Sequence, residues 1–225
     1  MCNINALLLS FLCVCFYQPN FAETAFSAYA KPDTIAIKLK NKETEALVRN
    51  LLKECKPGTI PYIIQQTFGS STEIHLSIND FLQLPDSIMA IAIEGNVNRD
   101  KYVSSILVNK EALQFSTDAY LASVFLHEFL HIYLKLTRPN TLFNDHEEMA
   151  NDHLKLLENS LKVAFPNLSQ LEREALSWGG LHATSAWKTL VQINRKKAVY
   201  MFGFCERERV TLLPKENQTL AMAAQ

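Results

Sequence analysis

The feature that most constrains this chain is an apolar segment, residues 119–136, that carries His127, Glu128 and His131 in the pattern His-Glu-x-x-His. Apolar side chains would surround a helix formed by this segment on nearly every side, which is typical of a buried helix. Histidines four positions apart project from the same helix face, close enough to share one metal ion. Burying these polar groups without partners costs roughly 1–3 kcal/mol for each group, and more for a charge. The segment therefore predicts a metal site on a buried helix.

The composition limits the class of protein. The chain has 225 residues, of which 48% are hydrophobic and 20% are charged, and its formal net charge is -1. This length allows one domain to bury a sizeable core. Because the chain lacks the basic excess that neutralises phosphates, we expect no nucleic-acid partner.

A short apolar run near the N-terminus, residues 5–17, resembles the hydrophobic part of a secretory signal and is too short to span a bilayer comfortably. We predict a signal peptide at residues 1–22, with cleavage as late as residue 30 as an alternative, and a mature domain at residues 31–225. No Lys or Arg precedes the run, so a buried N-terminal strand or helix is the competing interpretation. Export to the periplasm or the medium is expected, with no transmembrane segment after cleavage. Lipid attachment at Cys13 or Cys15 is a weaker alternative.

Two cysteines would remain after cleavage, Cys55 and Cys205. In an exported protein they could form one disulfide that closes a long loop, and two isolated buried thiols are an equal alternative. The chain contains no Cys-x-x-Cys pair, which excludes a structural zinc ribbon.

The spacing of apolar residues in the rest of the chain predicts a single α+β domain. In it, a small mixed or antiparallel sheet precedes the buried motif helix, and the C-terminal half is helical. Alternation of apolar residues predicts strands at residues 34–39, 72–78, 89–93 and 102–108, and helical spacing predicts a helix at residues 42–55. Ser116 or Thr117 can cap the motif helix. Further helices are expected at residues 145–164, from Ser169 to Gly179-Gly180 and at residues 184–194, while residues 195–210 are less clear.

The third metal ligand is expected on the helix that follows the motif, because catalytic zinc normally takes three protein ligands and leaves a fourth position for water. The apolar stripe of that helix, projected backwards, reaches His146, which we rank first. Glu147 and Glu148 follow, and His153 ranks last because it lies deeper in the packed region. Glu147 is offset from the stripe, and Glu148 stands in capping-box spacing with Asp145. An acid that is not a ligand could orient a ligand histidine.

The segment His127-Glu128-Phe129-Leu130-His131, with His146 on the next helix, resembles the zincin metallopeptidases. Within them it most resembles the SprT-like type, in which a histidine on the following helix completes the site. Residues 175–181 and 185–187 are similar to segments of zincin-like proteins from Bacteroidetes-type bacteria, and the likeness covers residues 102–190. The resemblance implies Zn²⁺ held by His127, His131 and His146, and an exported peptidase in which Glu128 is the general base toward a metal-activated water. Its substrate would be a protein or peptide.

The chain departs from related patterns in two respects. Leu134 stands where the metzincin extension requires Gly. The cysteine ribbon of some SprT-like proteins is absent and export is expected, so the action on DNA-bound protein is not carried over.

Two further expectations concern the sheet and the loops around the motif. Zincins often pair extended substrate with the strand before the motif helix, so we expect residues 102–108 at a sheet edge. We expect the pairs Trp178/Trp187 and Gly179/Gly180 to serve helix packing and a turn. The rival functional interpretations are a non-catalytic, zinc-stabilised binding protein, and a helical core whose histidines bind no metal.

Overall fold

A four-stranded mixed sheet forms in the N-terminal half of the chain. Its strands are β1 (Ile35–Lys38), β2 (Ile74–Phe81), β3 (Ala90–Asn98) and β4 (Lys101–Asn109), and their order across the sheet is β1-β2-β4-β3. The pairs β1–β2 and β2–β4 are parallel, and β3 pairs antiparallel with β4. The predicted α+β class with a mixed sheet is confirmed.

The prediction that residues 102–108 form a sheet edge is wrong, since β4 lies between β2 and β3. Only two residues of sequence separate β3 from β4, which pair antiparallel, and β2 occupies the other side of β4. Strand β3 is therefore the edge on the side of the hairpin. Alternation of apolar residues identifies a strand but does not reveal which strands flank it.

The computed structural model describes residues 34–69, 71, 73–81, 84–85, 88–98, 101–109, 111, 115–138 and 145–210. The predicted signal peptide lies outside these residues. They belong to one compact unit, Pro32–Gln225. No helix in the described ranges combines the length and the apolar character needed to cross a membrane.

Two short helices follow β1. Helix α1 (Lys42–Lys53) begins at Asn41, whose side chain accepts hydrogen bonds from two backbone N–H groups of the first turn. Helix α2 (Ile60–Ile64) continues into a wider turn at Gln65–Gly69. The backbone N–H of Ile60 donates to the Ser160 hydroxyl at 2.9 Å, which ties the start of α2 to the C-terminal half of the chain.

The motif helix α3 (Asp118–Thr137) is buried along most of its length, as predicted. Thr117 caps it by accepting a hydrogen bond from the backbone N–H of Tyr120 at 3.3 Å. Helix α3 contacts α1, α2 and β3 from the N-terminal half and several C-terminal helices. Because protein surrounds it, apolar side chains are favoured on all of its faces.

The C-terminal half is helical. Its elements are α4 (Asp145–Glu148), a π-helical turn (Met149–His153), α5 (Leu154–Ala164), α6 (Gln170–Ser177), α7 (Ser185–Ile193) and α8 (Arg195–Val210). The helix predicted at residues 145–164 is thus interrupted by the π turn, which changes the direction of the side chains before it relative to those after it. The capping box of Ser169 and Glu172 is present as predicted.

The structure also tests the predictions for the tryptophan pair and for the two cysteines. Trp178 and Trp187 pack against each other with ring centroids 5.2 Å apart, as expected for helix packing. Cys55 and Cys205 are free thiols, so the structure has the isolated thiols rather than the disulfide. The Cys55 thiol donates to the Leu52 carbonyl at 2.6 Å, while Cys205 is buried in α8.

Candidate metal centre

Three imidazoles converge at the junction of α3 and α4. The Nε2 atom of His146 lies 3.2 Å from that of His127 and 3.1 Å from that of His131, and the last two are 3.1 Å apart. Tetrahedral zinc with bonds of about 2.0–2.1 Å holds its nitrogen ligands about 3.3 Å apart. The cluster could therefore hold a metal ion. The structure brings together the two motif histidines and His146, the residue that the sequence analysis ranked first as third ligand.

The partners of the outer ring nitrogens determine where the protons lie. Nδ1 of His131 is 3.0 Å from the Asp145 carboxylate, which requires a proton on Nδ1 and leaves a lone pair on Nε2. The Gly179 backbone acts to raise the pKa of His127, which is the effect of a carbonyl facing the ring, although Nδ1 of His127 makes no hydrogen bond within the described residues. A donor facing a carbonyl is the stable arrangement there, so Nε2 of His127 also carries a lone pair.

This tautomer assignment makes the cluster difficult to explain without a cation. With lone pairs on Nε2 of both His127 and His131, their 3.1 Å contact brings two acceptors together. His146 can donate one proton and can satisfy only one of them at a time. A cation at the centre would remove the repulsion between these two acceptors, and His146 in its other tautomer would offer a third lone pair. Asp145 thus orients the ring of His131, one of the three candidate ligands.

The protein environment keeps the imidazoles neutral. Burial is the main cause that lowers the pKa of His127 well below its ordinary value, and the neighbouring histidines add to it. Burial likewise lowers the pKa of His131 to about 3, and it lowers the pKa of His146. A neutral ring is the form that offers a lone pair to a metal, so the cluster is ready to bind at neutral pH.

Glu128 lies beside the cluster in a different environment. It is 7% exposed, and burial raises the pKa of its carboxyl to about 8. A hydrogen bond with the backbone of Ala92 and the charge of Lys135 oppose this shift. A carboxyl group whose pKa lies near neutrality can both accept and return a proton.

The other candidates for third ligand have different partners. Glu147 accepts hydrogen bonds from the backbone N–H and the hydroxyl of Ser185, both at 2.7 Å. Glu148 lies 2.7 Å from Arg138 and 3.5 Å from His153. The expectation that Glu148 serves a capping box is wrong, because its buried carboxylate pairs with a guanidinium instead.

The Gly179-Gly180 turn lies against the ring of His127. Gly180 has φ +79, and a Cβ atom built at this position would lie 3.0 Å from Cε1 of His127. The turn therefore needs glycine for its backbone conformation and for its close approach to a ligand ring. The sequence analysis assigned these glycines to a turn but missed the contact, because adjacent glycines do not reveal which side chain they approach.

A cavity of about 450 Å³ opens beside the cluster. It is bordered by His127, Glu128 and His146, and on other sides by residues that the sequence analysis did not assign to the site. These are Ile88, Met89, Ala90, Tyr120, Ser123, Val124, Gly179, Gly180, Glu206 and Arg209. The cavity gives a ligand access to the glutamate and the histidines.

Comparisons with models of protein families, with curated proteins and with solved structures find no match to this chain. The geometry of the site therefore carries the functional argument.

Proposed function

We propose that this protein is a zinc-dependent peptidase of the zincin type. The observation that carries the proposal is the convergence of three imidazole Nε2 atoms beside Glu128 at the edge of an accessible cavity. Three neutral imidazoles suit zinc, and three protein ligands leave a coordination position free, as in catalytic zinc sites. The His-Glu-x-x-His spacing on one helix supports the same assignment.

The residues have complementary roles in this proposal. When bound, zinc would act as a Lewis acid that polarises the scissile carbonyl and makes water more acidic. Glu128 takes the proton from the attacking water and passes it to the leaving amine. The hydrogen bond with Ala92 fixes the Glu128 carboxylate, and Asp145 holds the His131 ring in its ligand orientation.

The edge strand β3 supports a peptide as substrate. The carbonyl of Met89 accepts a hydrogen bond from the backbone N–H of Asn109, so the backbone groups of Met89 point toward β4. In an antiparallel pair the bonding direction alternates, so the backbone groups of Ala90 point to the open edge. Those of Ala92 point the same way, and the Ala92 N–H there is already bound by Glu128. Ala90 borders the cavity, so its outward backbone groups lie beside the site. An extended peptide can bind there as an added strand.

The substitution Glu128→Gln tests the proposal. The amide keeps an acceptor for Ala92 but cannot take a proton, so the variant should retain zinc and its melting temperature while cleavage falls at least about 100-fold. The measurements are zinc content, thermal unfolding and cleavage of an unfolded, fluorescently labelled protein. Glu158→Gln, at a surface glutamate that pairs with Lys155, is the matched control and should cleave at the parental rate.

Two outcomes would contradict the proposal. Undiminished cleavage by Glu128→Gln would remove this residue from the mechanism. A parental protein that binds zinc but cleaves nothing would favour the alternative of a zinc-stabilised binding protein.

A further inference from the structure

Exposed apolar side chains are concentrated at the junction of α7 and α8. Among the described residues, seven large apolar side chains are exposed, and five of them lie between residues 191 and 202. Their exposed fractions are 36% for Val191, 79% for Ile193, 64% for Val199, 42% for Tyr200 and 43% for Phe202. Contiguous exposed apolar surface marks an interaction site, whereas scattered exposed residues are ordinary.

The positions of these residues define one outward surface. Ala198, Met201 and Cys205 form the buried side of α8. At about 100° per residue, Val199 and Tyr200 lie on the opposite side. Phe202 lies at its margin, about 40° from Ala198, with its ring centroid 5.0 Å from that of His182. Ile193 ends α7, and only Asn194 separates it from α8. We call this surface the α7–α8 face and define it by Val191, Ile193, Val199, Tyr200 and Phe202.

The charge along the α7–α8 segment is positive. No Asp or Glu occurs from residue 185 to residue 205, whereas this stretch contains three exposed cations, Lys188, Arg195 and Lys196. A fourth cation, Lys197, pairs with Glu174 of α6. The next acid along α8, Glu206, pairs with Arg209 at 2.9 Å. Glu147 interacts with Lys188, whereas Arg195 and Lys196 have no acidic partner within the described residues. The face is therefore apolar and bordered by two unneutralised cations.

We propose that the α7–α8 face binds the surface of a bilayer that contains anionic lipid. Apolar and aromatic side chains can enter the interface while Lys and Arg contact the lipid headgroups, as in peripheral amphipathic helices. An acidic protein partner is less favoured, because the most exposed residue, Ile193, stands at the tip of a helix–helix turn and not in a groove. This proposal is independent of the peptidase assignment, since no residue of the face borders the cavity.

Co-sedimentation of the full chain with vesicles tests the proposal. Vesicles of equal parts phosphatidylglycerol and phosphatidylcholine should bind the protein, pure phosphatidylcholine vesicles should bind it far more weakly, and added salt should release it. The pair Ile193→Ser/Val199→Ser and the pair Arg195→Glu/Lys196→Glu should each weaken binding at least about tenfold.

Matched controls separate the α7–α8 face from other surfaces of the chain. Phe81→Ser/Ile93→Ser changes the two exposed large apolar residues that the described part of the chain has outside the face. Lys53→Glu/Lys56→Glu reverses two exposed cations on another surface. Both controls should bind vesicles like the parental protein. Because all these positions are exposed, every variant should keep the parental melting temperature.

Three results would overturn the proposal. The first is absence of binding to the anionic vesicles. The second is equal binding by the face variants and the parent, which would locate the contact elsewhere, including the apolar N-terminal run. The third is a dimer in solution that Ile193→Ser/Val199→Ser converts to a monomer, because a second copy of the chain would then cover the face.

Discussion

At the residue scale, two of the three clustered imidazoles have a neighbour that fixes the ring. Asp145 holds Nδ1 of His131 at 3.0 Å, and the Gly179-Gly180 turn lies against His127. Partners of this kind set the tautomer and the direction of the lone pair, and their loss typically weakens metal affinity 10–100-fold. The site should therefore be sensitive to substitutions that leave all three histidines in place.

Replacing Asp145 tests this dependence. In Asp145→Ala the His131 ring loses the acceptor that orients it, so zinc affinity should fall about 10–100-fold. Competition with a chromophoric chelator measures the change. Asp152→Ala removes an exposed acid seven positions further along and should leave the affinity unchanged. Equal affinities in the two variants would show that Asp145 does not position His131.

Gly180 offers a test with a close control. Gly180→Ala strains the backbone at φ +79 and places a methyl group 3.0 Å from the His127 ring, so it should lower both stability and zinc affinity. Gly58→Ala meets similar backbone strain at φ +80, but its methyl group finds nothing within 4 Å. Gly58→Ala should therefore cost only about 1–2 kcal/mol of unfolding free energy and keep the parental zinc affinity. If both variants bind zinc equally well, the contact with His127 has no role in positioning.

The sequence predicts only those residues of the candidate site that lie on helices with a recognisable periodicity. The motif predicts His127, Glu128 and His131, and the apolar stripe of the next helix points to His146. Gly180 and Ala92 could not be found in this way, because they approach the site from distant segments through backbone atoms. Their contribution depends on tertiary packing, which has no local pattern.

At the scale of elements, the existence of strands and helices follows from periodicity but their arrangement does not. The strands around residues 89–93 and 102–108 were predicted, yet the sheet order places β3 and not β4 at the edge. The π turn at Met149–His153 also lacks a sequence signal, since its apolar residues fit an uninterrupted helix. Helix α8 was unclear because its outer side is also apolar, which weakens the amphipathic pattern.

Ser160 joins two elements through one hydroxyl, which gives a prediction at this scale. The hydroxyl oxygen accepts a hydrogen bond from the backbone N–H of Ile60, and the hydroxyl O–H donates to the carbonyl of Leu156 at 2.7 Å. Ser160→Ala leaves the buried N–H of Ile60 without its acceptor, so the unfolding free energy should fall by about 1–3 kcal/mol in urea denaturation. Thr189→Ala, which removes a comparable hydroxyl bond within one exposed helix, should change it by less than about 0.5 kcal/mol. Equal small changes would mean that Ser160 does not join α2 to α5.

At the scale of the whole molecule, burial of neutral histidines predicts acid sensitivity of the metal-free protein. Burial lowers the pKa of His131 to about 3 and that of His182 to about 4, from an ordinary value of 6.5. Between these values and 6.5 the unfolded chain binds protons that the folded chain does not, so the unfolding free energy should decrease as pH falls through this window. Above pH 6.5 these groups are neutral in both states and do not make the unfolding free energy depend on pH.

Urea denaturation of chelator-treated protein across this pH range measures the effect. His182→Gln removes a titrating group that lies outside the three-histidine cluster. The unfolding free energy of this variant should therefore decrease less steeply as pH falls. A stability that stays constant from neutral pH to pH 4 would contradict the burial of these histidines in the neutral form.

The central claim is that His127, His131 and His146 hold one metal ion, and zinc analysis of the purified protein tests it most directly. Purified without chelators, the parental protein should contain about one equivalent of zinc. His146→Ala should lose most of it, whereas His153→Ala should keep it, because His153 lies against Glu148 outside the cluster. Less than about half an equivalent in the parental protein, or full zinc content in His146→Ala, would contradict the account.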